Sequence, residues 1–417
     1  MNIALISNMT PASENIRGTS ALPYHIIQGL KTLNRDKKIS ITIWSFNQNE
    51  LDEIKLKEVS EELDTHIHVM SLPKWFTFIF RYHLLFIRLF LKYPIHNYIK
   101  LDNKYIQDIK SNNPDLIWVY GEEMSNVVKQ FAGYRRIHTL PDCESLYYYR
   151  MMEQRFVYDF PIKYWKCALM YRKFRNMERK FDKSIDILYH LVGEEDALSL
   201  RNLNPGINAQ FIRHPHYVVK DENRTIKFHQ PKIKLLIAGQ YNYYMQQSAD
   251  EALEMMCNNT LLKEHYEISF LGKGWNKWKQ QLSNSGFIAQ HLAFAPDYIE
   301  EIRKYDIQLT PISIGTGTKG KVLDALANGL MVIGTPYALE NIKVENGHSC
   351  ICYNTAEELR YYLEKIPIHI QEFELIAEKG RENILKYHNK HLIASSLLVE
   401  SITKKSETKF DAYITSS

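Results

Sequence analysis

The chain has 417 residues, more than one ordinary core accommodates, and this length predicts two domains. Its 52 basic and 48 acidic residues leave a formal charge of +4, which is too small for a nucleic-acid-binding face, so no nucleic-acid partner is expected. The five cysteines are odd in number and contain no Cys-x-x-Cys spacing, which favours reduced thiols in a cytoplasmic protein over disulfides or a metal site.

The N-terminal half alternates short apolar segments with longer amphipathic ones. The first segment, 2–7, follows no basic stretch and is too short for a signal peptide, so we expect no secretion signal. A long helix is predicted over 164–186. Further strands are predicted at 39–46, 65–72, 115–121, 135–140 and 187–193. This alternation predicts an α/β domain with a parallel sheet covered by helices.

The segment 74–94 is rich in aromatic residues, and Arg81, His83 and Arg88 interrupt it, which lowers the probability that it spans a membrane. As one continuous helix it would place Lys74, Thr77, Arg81, Arg88 and Lys92 on one stripe beside a wide apolar face. Such a helix suits the lipid headgroup layer, and it equally suits burial with its basic stripe in water. Both interpretations stay open, and 164–181 has a similar composition.

Apolar periodicity is lost between 202 and 232, where prolines, asparagines and charges prevail, and then begins again. Strands are predicted at 233–242, 266–274, 287–295, 306–313 and 330–336, with helices between them. We therefore expect a first domain over 1–218, a second over 219–386, and a segment 387–417 with a helix that returns to the first domain and a loose tail. Two such units predict two doubly wound domains.

The stretch 312–329, "ISIGTGTKGKVLDALANG", combines a strand end, three glycines and a helix start. Backbone amides at such a point bind anions. Gly315 and Gly320-Lys321 have the spacing of an ATP-type phosphate loop, but that loop continues with a Ser or Thr that binds Mg²⁺, and here Val322 follows. The sequence thus favours a phosphate site other than that of an ATPase, which remains a minor alternative.

The segment 311–335 resembles the donor-binding segment of retaining GT-B glycosyltransferases of the bacterial cell-surface polysaccharide type, similar to glycosyltransferase family 4. The shared pattern is a Pro, a Gly-x-Gly-Thr turn, Lys, an acidic residue before Ala-x-Ala-x-Gly, and an apolar strand ending in Thr. The resemblance implies two Rossmann-like domains facing across a cleft, the first for the acceptor and the second for a nucleotide sugar. It also implies a hexosyl- or glycosyltransferase that works without a metal and without a cofactor.

Residue by residue, the resemblance assigns the ribose-binding carboxylate to Asp324. Lys319 and Lys321 match the positions that hold the diphosphate and stabilise its charge. Family members often carry Glu at the ribose position, and many have a second Glu at the place of Thr316, so the contact to the donor sugar is the least predictable. The other donor-binding positions implied in this segment are Gly317, Thr318 and Gly320.

Positions elsewhere complete the expected site. Gly18 and Thr19, before a helix, are expected to meet the donor phosphates, and a plain helix cap is the alternative. Asp142 matches an Asp-x-x-Ser segment with Ser145 and is expected on the acceptor or sugar side; its alternatives are a helix cap, or a metal-binding Asp-x-acid motif of the single-domain glycosyltransferase fold.

Two strand ends of the second domain are further candidates. Gly239 ends the first strand, and neither the Arg nor the Lys that many relatives have after it is present. Lys273 and 294–297 are expected near the nucleobase, although Gly-Lys-Gly alone is typical of a turn. His214 and His216 have no third ligand nearby, which favours a structural role, and no metal site is expected.

The predicted function is transfer of a sugar from a UDP- or GDP-sugar to a saccharide or lipid-linked saccharide, with retention, in capsule, O-antigen or exopolysaccharide biosynthesis. The expected location is the cytoplasm, with peripheral membrane contact through 74–94 and 164–181 as an open option. The alternatives are a non-catalytic partner subunit of the same fold, and a nucleotide-sugar epimerase or phosphorylase.

Overall fold

The structure is a computed structural model that describes residues 1–13, 18–33, 38–221 and 223–401. By its internal contacts the chain divides into unit 1, Met1–Pro215 with Lys390–Ser417, and unit 2, His216–Asn389. The sequence had placed the boundaries after 218 and 386. The predicted loose tail, 403–417, lies outside the described residues.

Unit 1 contains one parallel sheet of seven strands in the order β3-β2-β1-β4-β5-β6-β7. The first six follow the doubly wound order, in which the sheet is built outward in two directions and the direction changes between β1 and β4. The strands are β1 Asn2–Ser7, β2 Ser40–Ser45, β3 His66–Val69, β4 Leu116–Tyr120, β5 Arg136–Leu140, β6 Ile187–Leu191 and β7 Ala209–Phe211.

Helices cover both faces of this sheet. The inner strands β4, β5 and β6 are buried at every residue, as expected for a parallel sheet covered on both sides. The helices are α1 Gly18–Leu33, α2 Glu53–Leu63, α3 Lys74–Arg81, α4 Ile87–Phe90, α5 Asn103–Ser111, α6 Ser125–Lys129, α7 Glu144–Met152, α8 Arg155–Tyr158, α9 Pro161–Glu178 and α10 Glu194–Leu203. The chain is also helical from 390 to 401, where Ile393 and Leu397 pack against the core of unit 1.

Unit 2 has the same type of architecture, with six parallel strands in the order β10-β9-β8-β11-β12-β13. The direction in which strands are added to the sheet changes between β8 and β11. The strands are β8 Ile233–Ala238, β9 Tyr266–Leu271, β10 Ile288–Leu292, β11 Ile307–Thr310, β12 Met331–Gly334 and β13 Ile351–Cys352. The helices are α11 Gln246–Asn258, α12 Asn276–Asn284, α13 Tyr298–Ile302, α14 Gly320–Ala327, α15 Pro336–Leu339, α16 Ala356–Lys365 and α17 Ile370–Tyr387.

One prediction about local structure is wrong. The segment 74–94 does not form a continuous helix, because the chain leaves the helix after Arg81 and His83 has a left-handed backbone with φ of 54°. The single stripe from Lys74 to Lys92 therefore does not exist. No helix among the described residues is long and apolar enough to cross a bilayer.

Candidate functional site

The phosphate-like loop of unit 2 connects the end of β11 to the start of α14, at the edge where the sheet changes direction. Side chains outside the loop hold its backbone: the Thr335 hydroxyl donates to the carbonyl of Ile312 at 2.6 Å, and the Asn341 amide donates to the carbonyl of Gly317 at 2.8 Å. Gly317 has φ of 60°, which a glycine adopts without strain. The loop is thus held in one shape before any ligand arrives.

Lys319 contributes to this shape from inside the loop. Its ammonium donates to the carbonyl oxygens of Thr316 at 2.7 Å and Gly317 at 3.2 Å. A Cβ at Gly315 would lie 2.9 Å from Cε of Lys319, so a larger residue there would push the lysine out of this conformation. Lys319 therefore uses part of its hydrogen-bonding capacity within the loop itself.

The first turns of α14 place a carboxylate and a second ammonium group near one another. Asp324 lies one turn into the helix and is 1% exposed. Lys321 is exposed, and its Nζ lies 5.4 Å from the ring centroid of Tyr298. Partial desolvation lowers the pKa of Lys321, and the charge of Asp324 opposes that shift. The turn can thus present a positive and a negative group on the same helix.

Tyr298 is a neighbour that the sequence did not single out. Its hydroxyl is buried and finds no hydrogen-bond partner among the described residues. Burial, followed by the charge of Asp324, raises its pKa well above the usual value, so it stays protonated and available as a donor. Val322 is fully buried, so the position of the magnesium-binding hydroxyl in an ATP loop faces the core of unit 2.

Two more predicted positions lie at the same edge of the sheet. Gly239 directly follows β8. Lys273 follows Gly272, the first residue after β9, and is exposed. Gly272 has φ of 139°, and a Cβ there would lie 2.2 Å from the carbonyl oxygen of Gly239. Close approach of the two backbones explains the glycine at 272. The indole of Trp275 donates to the Gly239 carbonyl at 2.8 Å and fixes this turn.

In unit 1 the predicted anion position is the start of α1. Gly18 is the first residue of that helix, so Thr19 and Ser20 lie within its first turn rather than at the capping position. The Thr19 hydroxyl lies 2.9 Å from Sδ of Met9, which follows β1. Residues 14–17 of the preceding loop lie outside the described residues.

Asp142 belongs to a group of carboxylates at the same edge of this sheet, after β4 and β5. The capping position of α7 is Cys143, so Asp142 does not cap that helix. Burial first, and the charge of Asp142 second, raise the pKa of Glu144 to about 8. Glu122, two residues after β4, is 7% exposed, and burial together with Glu144 and the other carboxylates raises its pKa well above the usual value.

Two deeper carboxylates hold the loop that carries Asp142. Asp196 accepts from the backbone of Cys143 at 2.7 Å, and Glu178 accepts from the backbone of Ser145 at 3.1 Å. One oxygen of Glu178 and one of Glu122 find no hydrogen-bond partner within the described ranges. Sequence reasoning missed Glu122, Glu178 and Asp196; two glutamates directly after the fourth strand were the available signal.

The metal-binding alternatives lack the required geometry. Asp142 and Glu144 have the spacing of an Asp-x-acid motif that belongs to the single-domain glycosyltransferase fold. That fold has one mixed sheet, whereas this chain has two parallel sheets. No group of three or more metal-ligand side chains that could hold an ion exists in 1–13, 18–33, 38–221 and 223–401. His214 and His216 are buried and fall in units 1 and 2 respectively. Burial lowers the pKa of His214 to about 4.

No family model matches the sequence, and no curated protein matches it either. Solved structures do match. The Anabaena protein HepE in complex with UDP-glucose has a TM-score of 0.61 at 12% identity, over 95% of this chain and 98% of that one. A glycosyltransferase from Rickettsia africae has a TM-score of 0.63 at 15% identity, over 96% and 98%. WaaG, a glycosyltransferase involved in lipopolysaccharide biosynthesis, has a TM-score of 0.59 at 13% identity, over 94% and 98%. These likenesses, with the two parallel sheets, confirm the predicted GT-B type of α/β fold.

Proposed function

We propose that the protein is a glycosyltransferase that moves a sugar from a nucleotide diphosphate sugar to an acceptor hydroxyl, with retention of configuration and without a metal ion. The observation that carries the proposal is the preformed loop before α14, with Asp324 buried one turn into that helix. Several of the matching structures are glycosyltransferases, and HepE contains UDP-glucose, which supports a nucleotide sugar as donor.

In the proposed reaction the diphosphate binds at the first turn of α14. Negative charge grows on the diphosphate as the bond to the sugar breaks, and positive groups fixed at that point lower the barrier. The first amides of α14 and the ammonium of Lys321 supply this charge, while Lys319 keeps the loop in shape. The carboxylate of Asp324 accepts hydrogen bonds from the ribose hydroxyls. Gly18, Thr19, Gly239, Lys273, Thr316, Gly317, Thr318 and Gly320 are the other proposed donor-binding positions.

The proposed acceptor is a saccharide, free or linked to a lipid. A sugar offers hydroxyl donors, and Asp142, which is half-buried after the end of β5, offers carboxylate oxygens that can accept from them. The pathway that we propose is capsule, O-antigen or exopolysaccharide biosynthesis at the cytoplasmic face of the membrane. The likeness to WaaG concerns the fold alone. Peripheral contact would run through 74–94 and 164–181.

Nucleotide binding tests the donor site directly. We expect UDP or GDP to raise the melting temperature, because a ligand that binds only the folded state stabilises it by mass action. Lys321→Gln should weaken nucleotide binding by about 10- to 100-fold, the range for one charge-assisted hydrogen bond. Lys279→Gln removes an exposed charge of α12 and is the matched control. A chain that binds nucleotide equally well with Gln at 321 would contradict the assignment.

Product analysis separates the remaining alternatives. A non-catalytic partner subunit would leave the nucleotide sugar intact with every acceptor, and an epimerase would release an isomeric nucleotide sugar without any acceptor. The proposed transferase releases nucleoside diphosphate only when an acceptor is present, and proton NMR of the product reports the anomeric configuration. Inversion at the anomeric carbon would refute the retaining part of the proposal.

A further inference from the structure

Two segments of unit 1, 73–101 and 160–177, form what we call the aromatic-basic surface. They comprise 47 residues, yet they hold seven of the thirteen exposed Phe, Trp and Tyr side chains of the described ranges. The most exposed large apolar side chains are Phe90 at 82%, Leu89 at 62% and Phe86 at 60% in the first segment, and Ile162 at 86% and Trp165 at 71% in the second. Exposed apolar side chains gathered in this way mark an interaction surface.

The break in the helix at His83 produces this exposure. Because α3 ends at Arg81 and α4 spans only Ile87–Phe90, no long helix buries the rings of the second part against the sheet. The two segments also touch: the ammonium of Lys173 in α9 donates to the backbone carbonyl of Arg88. Phe80 and Phe174 pack against the same core cluster from the two segments. The surface is therefore anchored on its inner side and open on its outer side.

The charge of this surface is one-sided. The two segments contain ten lysines and arginines and no acidic residue, while the rest of the chain, with 42 basic and 48 acidic residues, sums to −6. Arg81, Lys92, Lys163 and Lys166 are exposed beside the rings. Aromatic rings with lysine and arginine side chains around them are the composition of proteins that lie in the headgroup layer of an anionic membrane.

We propose that the aromatic-basic surface docks unit 1 on an anionic lipid bilayer, with the rings of Phe86, Phe90 and Trp165 entering the layer between headgroups and acyl chains. Lysines and arginines at the edge contact the lipid phosphates. A second copy of the chain fits the surface poorly, because a two-fold contact would bring the exposed lysines and arginines of one copy, Arg81 and Lys163 among them, against the same side chains of the other. The docking does not depend on the donor site and is testable without substrate.

The tryptophans provide a built-in probe. Four of the six, Trp44, Trp118, Trp275 and Trp278, are at most 3% exposed, whereas Trp75 is 39% and Trp165 is 71% exposed. A fluorescence change on adding vesicles therefore reports the aromatic-basic surface. We expect a blue shift and loss of acrylamide quenching with phosphatidylcholine vesicles that contain phosphatidylglycerol, and little change with phosphatidylcholine alone. Trp165→Phe should remove most of the change.

Variants of exposed residues complete the test. Arg81→Gln with Lys92→Gln should weaken vesicle partitioning about 25-fold, since each charge near an anionic surface contributes about 1 kcal/mol, a factor of about five. Phe86→Ser with Phe90→Ser should weaken it at least tenfold even at low salt. Tyr361→Ala and Arg360→Gln, both exposed in unit 2, are the matched controls.

Two outcomes would overturn the proposal. The first is failure to bind anionic vesicles through this surface. It would be seen as no change in tryptophan fluorescence, or as partitioning of both double variants equal to that of the parent. The second is a dimer, seen by light scattering without lipid, that the same substitutions dissociate; this result would assign the surface to a second copy. Far-UV circular dichroism of the same preparations shows that the protein is folded, and binding of UDP or GDP reports on the donor site separately.

Discussion

The substitution Glu144→Gln in unit 1 should change how the free energy of unfolding depends on pH. Glu144 begins α7 in the group of carboxylates after β4 and β5, and its pKa is raised from the usual 4.5 to about 8, first by burial and then by Asp142, Glu178 and the other acids. The folded protein therefore binds a proton at Glu144 between about pH 5 and pH 8 that the unfolded chain releases. Stability contributed by this proton is fully present below pH 4.5 and is lost as the pH rises through 8.

The size of the effect follows from the shift. At 1.36 kcal/mol per pH unit, a change of the pKa from 4.5 to about 8 corresponds to an upper limit of about 5 kcal/mol. The pKa values of Glu122 and Glu178 are raised as well, so the neighbours respond when Glu144 ionises, and we expect about 2–4 kcal/mol at pH 9. Glutamine keeps the shape of the side chain and never ionises, so it removes the part of the pH dependence that Glu144 contributes.

Urea unfolding at a series of pH values measures this difference. The free energy of unfolding of the Gln variant should match that of the parent near pH 5 and exceed it increasingly up to pH 9. Glu153→Gln, exposed after the end of α7, should run parallel to the parent throughout. Parallel curves for Glu144→Gln and the parent would show that folding does not raise the pKa of Glu144, and would refute the reasoning.

The remaining predictions concern unit 2. Lys319→Met should lower the melting temperature slightly and weaken UDP or GDP binding strongly, because the loop loses two internal hydrogen bonds; calorimetric titration measures the affinity, and unchanged binding would contradict the loop-shaping role. Arg381→Met should cost about 3–5 kcal/mol in urea unfolding, because the buried guanidinium donates to three backbone carbonyls, and a loss below 1 kcal/mol would be inconsistent with those contacts. Asp306→Ala should cost at least about 2 kcal/mol by the same measurement, because one carboxylate oxygen accepts from two backbone amides that lose this acceptor, and an equally stable variant would exclude that role.

The sequence predicted the sheets well because buried parallel strands are continuous apolar segments. Eleven strands of the structure overlap a predicted one, from Asn2–Ser7 to Met331–Gly334. The two that were missed, Ala209–Phe211 and Ile351–Cys352, have three and two residues, too few for a pattern to appear. The first of them lies where prolines and asparagines had suggested a linker. Both are edge strands, which need less apolar sequence than central ones.

The helix predicted over 74–94 failed for a different reason. Periodicity shows how residues would face if a helix continued, and it carries no information about where the chain leaves the helix. His83 adopts a left-handed backbone that no proline or glycine announces in this segment. The composition nevertheless retained the relevant signal, since the aromatic and basic residues lie on the surface in either conformation.

The candidate site has one part that is formed by neighbouring residues in the sequence and one part that is formed by distant residues. The loop before α14 is local, and its glycines, lysines and Asp324 follow from one stretch of sequence. The carboxylates of unit 1 come from positions as far apart in the sequence as Glu122 and Asp196, and only the fold makes them neighbours. A single sequence offers Asp142 as a candidate but cannot show that it lies among other acids.

Lys319 and Lys321 illustrate why residue type alone does not assign a role even within a local motif. The sequence treats them as two equal positive charges for a diphosphate. In the structure Lys319 folds back onto the carbonyls of its own loop, whereas Lys321 extends from the helix over the ring of Tyr298. Because the loop amides point correctly only while those carbonyls are held, Lys319 acts on the proposed site through the backbone, and Lys321 is the lysine that would meet the phosphate. The two lysine variants should therefore lose nucleotide affinity for different reasons. In Lys321→Gln the loss of affinity should depend on the salt concentration, as a contact between charges does. In Lys319→Met the loss of affinity should accompany a lower melting temperature.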